Sequence, residues 1–381
     1  MKEGVDVAII GAGVIGTALA HEAGRRGASV TVLERDSPGR RATWAAAGML
    51  SPISDASTNL QLAELADESL HRYPAFVHAL REQTGIDVEY RTNGKLHVAF
   101  TDEEASLLRQ LAAGPLAGRL DISLLSPAAA RELEPELADG MALALLIGRD
   151  HRVNNRLLAQ ALAAAATRTG VSIRTGTPSA GVTVSSGMVT GVKLSSNQVL
   201  AADRVVIAAG SWSGDIQGLP TPLPVFPVKG QMLAIDGRAR HNGRSGRAPI
   251  GRVLHGHGAF LIPREDGRIL VGATVEEVGF RTGPTPRGVG WLIESATAVL
   301  PVLADLPLVE TWAGFRPGTP DHLPILGPDP EVQGLYYATG HFRNGILLAP
   351  LTAQVLADML LEGAASPILE PFGIGRFRTA L

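Results

Sequence analysis

The sequence predicts an α/β protein of two domains: a Rossmann-type domain discontinuous in sequence, and a second domain on a mixed or antiparallel sheet. Three observations carry this. Residues 5–34, VDVAIIGAGVIGTALAHEAGRRGASVTVLE, read as strand, helix and strand. Two later apolar strands, 205–209 and 335–338, run into small residues and glycine, as parallel strands do where they meet a ligand. Between them lie alternating runs with hairpin turns, the pattern of a separate sheet. At 381 residues the chain exceeds one ordinary core and suits two domains.

Composition narrows the function. With 45% hydrophobic and 19% charged residues the chain reads as globular and well buried, and a net charge of −3 gives no reason to expect nucleic acid or an anionic membrane as partner. The absence of cysteine excludes disulfides, thiolate metal sites, cysteine nucleophiles and a cysteinyl cofactor link; no metal site is expected. The first strand begins by Val5, leaving no room for a targeting segment, so a cytoplasmic location is the expectation. The longest apolar stretch, 346–361, is broken by Gln354 and Asp358 and predicts no membrane span.

The first strand, 5–10, is β-branched and apolar, and it ends in Gly11-Ala12-Gly13-Val14-Ile15-Gly16. Gly11 permits the tight turn, Gly13 lets a pyrophosphate approach the backbone, and Gly16 lets the helix pack close to the strand. Ile15, Leu19, Ala20 and Ala23 recur at helical spacing and Gly27 closes the helix. The helix start offers amide donors and partial positive charge to phosphates. Glu34, ending the second strand, suits the hydroxyls of an adenosine ribose. Which dinucleotide binds is open from this motif.

Residues 42–52, ATWAAAGMLSP, hold small side chains that let backbone amides approach a second part of the same ligand. Residues 60–81 predict an amphipathic helix kinked at Pro74 and ended by Gly85. Residues 86–100 predict a hairpin turning at Thr92-Asn93-Gly94. A helix over 102–113 capped by Asp102 or Thr101, a loop and short helix over 124–135, and a strand over 141–147 follow. An alanine-rich helix is predicted over 157–169, a short strand over 171–174, and a hairpin of 181–185 with 188–194 about Ser186-Gly187.

Pro220, Pro222, Pro224 and Pro227 mark a linker; strands over 228–235, 259–263 and 269–273 and a helix over 289–299 follow it. Residues 238–247, rich in arginine and glycine, predict a surface loop, and His255 and His257 are placed in a turn. Near the end, Gly340-His341-Phe342-Arg343-Asn344-Gly345-Ile346 opens a helix running to about 361, with Pro350 in its first turn and Gly363 as its stop. That helix start suits a ring carbonyl that gains negative charge.

These pieces together resemble the D-amino-acid oxidase and glycine oxidase family of FAD proteins, most nearly its glycine oxidase branch of thiamin biosynthesis. The resemblance rests on Thr43-Trp44-Ala45-Ala46-Ala47-Gly48-Met49-Leu50, Asp150-His151-Arg152-Val153-Asn154-Asn155, Trp312-Ala313-Gly314-Phe315-Arg316-Pro317-Gly318-Thr319 and, above all, Gly340 to Pro350. It implies FAD rather than NAD, not linked through cysteine. It implies a glutathione-reductase-like FAD domain of residues 1–85, 152–222 and 310–381, with 86–151 and 223–309 forming the substrate domain. FAD contacts are expected at Gly11, Gly13, Val14, Ile15, Gly16, Glu34, Arg35, Ala42, Thr43, Ala46, Ala47, Gly48, Met49, Ser179, Gly210, His341, Phe342, Arg343, Asn344, Gly345, Ile346 and Leu347.

The substrate is expected at Arg316, Arg343, Phe260 and Met49. Guanidinium presents two parallel donors to a carboxylate, which suits Arg316 to hold an amino acid. Phe260 departs from the family, which commonly offers a tyrosine hydroxyl there; losing that bond costs about 1.5–3 kcal/mol, weakening glycine in favour of bulkier or N-alkylated amino acids. The implied reaction is oxidative deamination of glycine, sarcosine or a small D-amino acid, with hydride passing to flavin, no protein acid or base required, and dioxygen reduced to hydrogen peroxide. The implied assembly is a homo-oligomer, often a tetramer. A dehydrogenase or deaminase passing electrons to a quinone, and a flavin-binding subunit without turnover, stand as the alternatives.

Overall fold

The structure, a computed structural model, describes residues 4–53, 59–238 and 248–377. Its first sheet sets five parallel strands side by side, Ser172–Arg174, Val30–Leu33, Val5–Ile10, Val199–Ile207 and Leu335–Thr339, with Ile325–Pro328 antiparallel at the edge. Successive side chains of Val5–Ile10 face opposite ways, and both ways are buried. Val7 and Ile9 join a core with the helices Val14–Arg25, Leu60–Thr84, Asn155–Arg168 and Gly345–Glu362; Ala8 and Ile10 join one with the hairpin of Ser179–Ser185 and Met188–Leu194. A parallel strand covered on both faces is for that reason apolar from Val7 onward, while Asp6, at its less buried start, accepts from Ser29.

The glycines of the first turn do what their spacing predicts. Gly11 has φ +106°, and a Cβ there would lie 2.4 Å from the Ala208 carbonyl oxygen; one on Gly16 would lie 2.0 Å from that of Gly11. The helix and strand approach more closely than any side chain allows.

The C-terminal helix, Gly345–Glu362, differs from expectation at Pro350, which falls in the second turn rather than the first. The carbonyl that its missing N–H would have met, that of Ile346, accepts instead from the Tyr73 hydroxyl, and that of Leu347 accepts from Ser69 Oγ at 2.6 Å. Both donors come from Leu60–Thr84, which runs on through Pro74. The fully buried Tyr73 phenol is pushed well above its usual range by burial, then by Tyr90, so it remains a donor. Two core helices are thereby locked in register, and the start of the second is fixed against the site. Gly345–Glu362 alone among the described residues is long and apolar enough to cross a membrane, and it is a core helix here.

The second sheet has eight strands in the order Leu308–Gly318, Phe226–Asp236, Arg268–Gly272, Ala259–Pro263, Val253–Gly256, Lys95–Ala99, Leu143–Ile147 and Ile122–Leu125. All neighbours are antiparallel except Val253–Gly256 with Lys95–Ala99, so the sheet is mixed. Leu233, Leu261 and Val271 face the helix Pro286–Val299; Met232, Ile262 and Trp312 face residues 44–49.

Two further expectations need correction, and a third is not tested. Residues 86–100 do not form a hairpin: only Lys95–Ala99 is a strand, and its partners are Val253–Gly256 and Leu143–Ile147. The Asn93 side chain donates to Gly251 O at 2.6 Å, so the Asn-Gly pair ties down a distant segment instead of turning the chain on itself. Residues 239–247 of the expected loop lie outside the described residues. The boundary at residue 310 falls inside Leu308–Gly318, which pairs along its length with Phe226–Asp236. We therefore propose the domain division expected from the sequence with its last boundary moved to follow Gly318.

Candidate active site

One cavity of about 820 Å³ lies between the two sheets, at the carboxyl ends of the parallel strands. Its size falls within the roughly 300–1,000 Å³ of ligand pockets. It is long, with Glu34 and Arg35 lining one part and Arg316, Phe260 and Trp291 another.

Glu34 is built into the glycine turn. One carboxylate oxygen accepts from Ala12 N–H at 2.8 Å and the other from Asp36 N–H at 2.9 Å. The Val14 amide is taken by Thr43 Oγ1 at 3.0 Å, whereas those of Gly13 and Ile15 have no hydrogen-bond partner among the described residues. The helix start therefore keeps donors for a phosphate, though fewer than a bare helix would. Arg35, Arg40 and Arg41 line this part, the Arg35 guanidinium stacking 3.6 Å over Trp212. Residues 42–45 form a single helical turn, and residues 45–49 then pass along the cavity wall.

At the other part, Arg316 Nη1 donates to Thr274 O at 3.1 Å, and the guanidinium lies over Gly230, where a Cβ would sit 2.3–2.6 Å from its atoms. No carboxylate pairs with it among the described residues. Burial, then the neighbouring Arg343 charge, pull its pKa down to about 10, with Glu276 opposing. Glu276 is itself engaged by Gln231 at 2.7 Å and by Lys229 at 3.6 Å. A half-buried cation without a paired carboxylate carries a desolvation cost, and a bound carboxylate relieves it. Arg343 follows Phe342, whose left-handed backbone (φ +46°) is held by donation from its N–H to Pro317 O at 3.0 Å. The helix Gly345–Glu362 starts just beyond, with no side-chain cap at Asn344.

Phe260 stacks on His255 across neighbouring strands, centroids 4.0 Å apart and 10° from parallel, and His255 meets His97 at 4.0 Å. His255 therefore belongs to a strand of the cavity wall rather than a turn; His257 does sit in the turn, stacked on Phe100 at 4.6 Å. Burial, then His97, Lys95 and Arg343, hold His255 well below the usual imidazole range, so it is uncharged. His341 is buried as well, and burial lowers it to about 3.

The cavity brings together every expected site residue except Gly16 and Leu347, which lie in the packing behind it. Gly230, Thr274, Trp212, His255 and Trp291 also line it and were not expected. Gly230 alone carried a signal: a glycine inside the predicted strand 228–235 marks close approach of another group.

The profile of one family, DAO, FAD dependent oxidoreductase, matches residues 6–359. The chain is 38% identical over 373 residues to the bifunctional protein ThiO/ThiG of Trichormus variabilis, covering 98% of this chain and 55% of that one. It thus spans about half the length of that relative. With the glycine oxidase of Pseudomonas aeruginosa it shares 35% identity over 367 residues, 96% of each. The crystal structure of glycine oxidase from Geobacillus kaustophilus superposes with a TM-score of 0.90 at 34% identity, covering 97% of this chain and 98% of that one. The polar groups of the cavity fit FAD: a carboxylate in the glycine turn to accept from a ribose, helix-start amides to donate to a pyrophosphate, and a second helix start at Gly345 beside Arg316's strand. With no cysteine in the chain, FAD has no cysteinyl link. From its first strand to its last long helix, the chain belongs to the DAO family of FAD-dependent oxidoreductases.

Proposed function

We propose that the protein is an FAD-dependent oxidase that deaminates glycine or another small amino acid, such as sarcosine or a small D-amino acid. Amino acid, dioxygen and water would give keto acid, ammonia (methylamine where sarcosine is the substrate) and hydrogen peroxide. The observation that carries this reading is Arg316: a guanidinium inside the FAD cavity, held by the carbonyls of Thr274 and Lys229 and lacking a carboxylate partner among the described residues. The relatives named glycine oxidase support it.

FAD, when bound, would supply the hydride acceptor for the substrate Cα and the redox link to dioxygen. The protein binds and orients. Arg316 would take the substrate carboxylate through its two parallel N–H donors, with Arg343 beside it, while Phe260, Met49 and Met232 form an apolar wall. Two nearby cations disfavour the substrate's ammonium form, so the amine is bound neutral, ready to lose hydride. The uncharged His255 adds no third cation, and no protein acid or base is required. The FAD contacts are those expected from the sequence, Gly16 and Leu347 acting through packing. With glycine, the imine would feed thiazole synthesis, in line with the relatives called ThiO/ThiG. Homo-oligomeric assembly and a cytoplasmic setting complete the proposal.

Anaerobic mixing of the yellow protein with glycine, sarcosine and small D-amino acids should bleach the flavin, and admitting air should restore it with release of peroxide. Arg316→Ala should retain FAD and raise KM about a hundredfold or more. Unchanged kinetics in that variant would remove Arg316 from the substrate site.

A further inference from the structure

Residues 43–48 are held from behind by groups that take their carbonyls almost one by one. Asn155 Nδ2 donates to Thr43 O at 2.7 Å and Trp44 O at 3.1 Å; Trp312 Nε1 donates to Ala45 O at 3.0 Å. Arg264 Nη2 donates to Ala47 O at 2.8 Å, and Val153 N–H donates to Gly48 O at 2.9 Å. Arg264 also donates to Val153 O at 2.7 Å and Asn155 Oδ1 at 2.9 Å, so one guanidinium ties two of the other holding residues together. It is buried, and no carboxylate pairs with it among the described residues.

A trans peptide points its N–H opposite to its C=O. Gly272–Ala273 is the one cis bond among the described residues, so the peptides joining 45–46 and 47–48 are trans. The amides of Ala46 and Gly48 are thus aimed away from Trp312 and Arg264. Both residues line the cavity, and neither amide has a hydrogen-bond partner among the described residues. The strand that sets Trp312 behind this segment also carries Arg316, and Gly314 between them packs so closely that a Cβ there would lie 2.4 Å from Ala45 Cβ. The segment therefore borders the end of the cavity where substrate and flavin ring must meet. The Arg264 guanidinium hydrogen-bonds only neutral carbonyl oxygens, with Glu89 and Asp266 near enough to act on its charge but not to pair with it, and the Ala47–Gly48 peptide dipole carries its positive end inward.

We infer that Arg264 is a positioning residue for the bound flavin: it fixes residues 45–48 so that the Ala46 and Gly48 amides donate to the acceptor edge of the isoalloxazine ring, and its charge, paired directly with no carboxylate among the described residues, favours the electron-rich reduced ring. This rests on the family's cofactor and not on the choice of amino acid.

The test compares Arg264→Met, Arg264→Lys and wild type for FAD dissociation constant and for flavin reduction potential. Arg264→Met should bind FAD about ten- to a hundredfold more weakly and shift the potential to more negative values. Arg264→Lys keeps the charge but loses the fork, so its potential should lie between the two. Wild-type affinity and potential in folded Arg264→Met would overturn the inference. Weaker binding at an unchanged potential would overturn it too, because a merely structural buttress behaves that way. Should Arg264→Met fail to fold, Trp312→Phe removes only the donor to Ala45: weaker FAD binding and a shifted visible spectrum are expected, and wild-type values for both would overturn the assignment. Neither readout needs an amino acid, so failure here is separate from failure of the oxidase reading.

Discussion

Gly230 shows how a single missing side chain can set a specificity group in place. The Arg316 guanidinium lies flat against its Cα, so Gly230→Ala must displace the far end of Arg316 while leaving the strand pairing with Gly314 intact. A flexible side-chain tip moves cheaply; a carboxylate-binding geometry does not survive the move. The expected outcome is a KM for the amino acid raised about tenfold or more, with FAD content and melting temperature close to wild type. A variant with unchanged KM would mean that the guanidinium reaches the substrate from another position.

At the scale of elements, the wall segment 42–49 is shaped by its surroundings more than by its own propensity. Its alanines form one helical turn and then leave it, because Asn155, Trp312 and Arg264 offer their carbonyls better partners than a second turn would. Gly48 makes this possible: φ is +73°, and a Cβ would lie 2.1 Å from Val153 O, a backbone atom that cannot yield. Gly48→Ala is therefore expected to cost at least about 1–2 kcal/mol of stability and to weaken FAD binding. Denaturant unfolding and flavin retention on gel filtration check it. A fully flavinated variant of wild-type stability would show that the segment tolerates another path.

For the molecule as a whole, uncharged histidines set an acid limit. His97 and His341 are lowered to about 3, both first by burial and His97 further by Lys95; His255 lies well below its usual range for the reasons given above. Unfolded, each would titrate near 6.5, so below that pH the unfolded chain binds protons that the folded one refuses. The stability contributed by their neutral forms is full above about pH 6.5 and falls as the pH drops toward 3, by up to about 1.4 kcal/mol per pH unit for a fully buried histidine. Urea midpoints measured from neutral pH down to about pH 5 should fall, and a flat profile would place these rings in contact with water.

Much of the nucleotide half was readable in the chain. The strand-turn-helix-strand of residues 5–34, the glycines at 11 and 16, and the helix stops at Gly85 and Gly363 depend on local periodicity and on positive φ, which residue type and spacing encode directly. The motifs carrying the family resemblance supplied Arg316, Arg343 and about half of the cavity-lining residues expected for FAD, and the glycine turn with Glu34 supplied most of the others. Tertiary structure decided the rest. Asn93-Gly94 met Gly251 rather than its own hairpin, Pro350 was accommodated by Tyr73 from 277 positions away, and Leu308–Gly318 joined the second sheet. The burial of Arg264, the closeness of Gly230 to Arg316 and the neutrality of His255 likewise arise only when the two sheets close over residues 42–49. Local pattern fixes which element forms; which carbonyl meets which distant donor depends on the docking of surfaces whose residues lie hundreds of positions apart, and no local period records that.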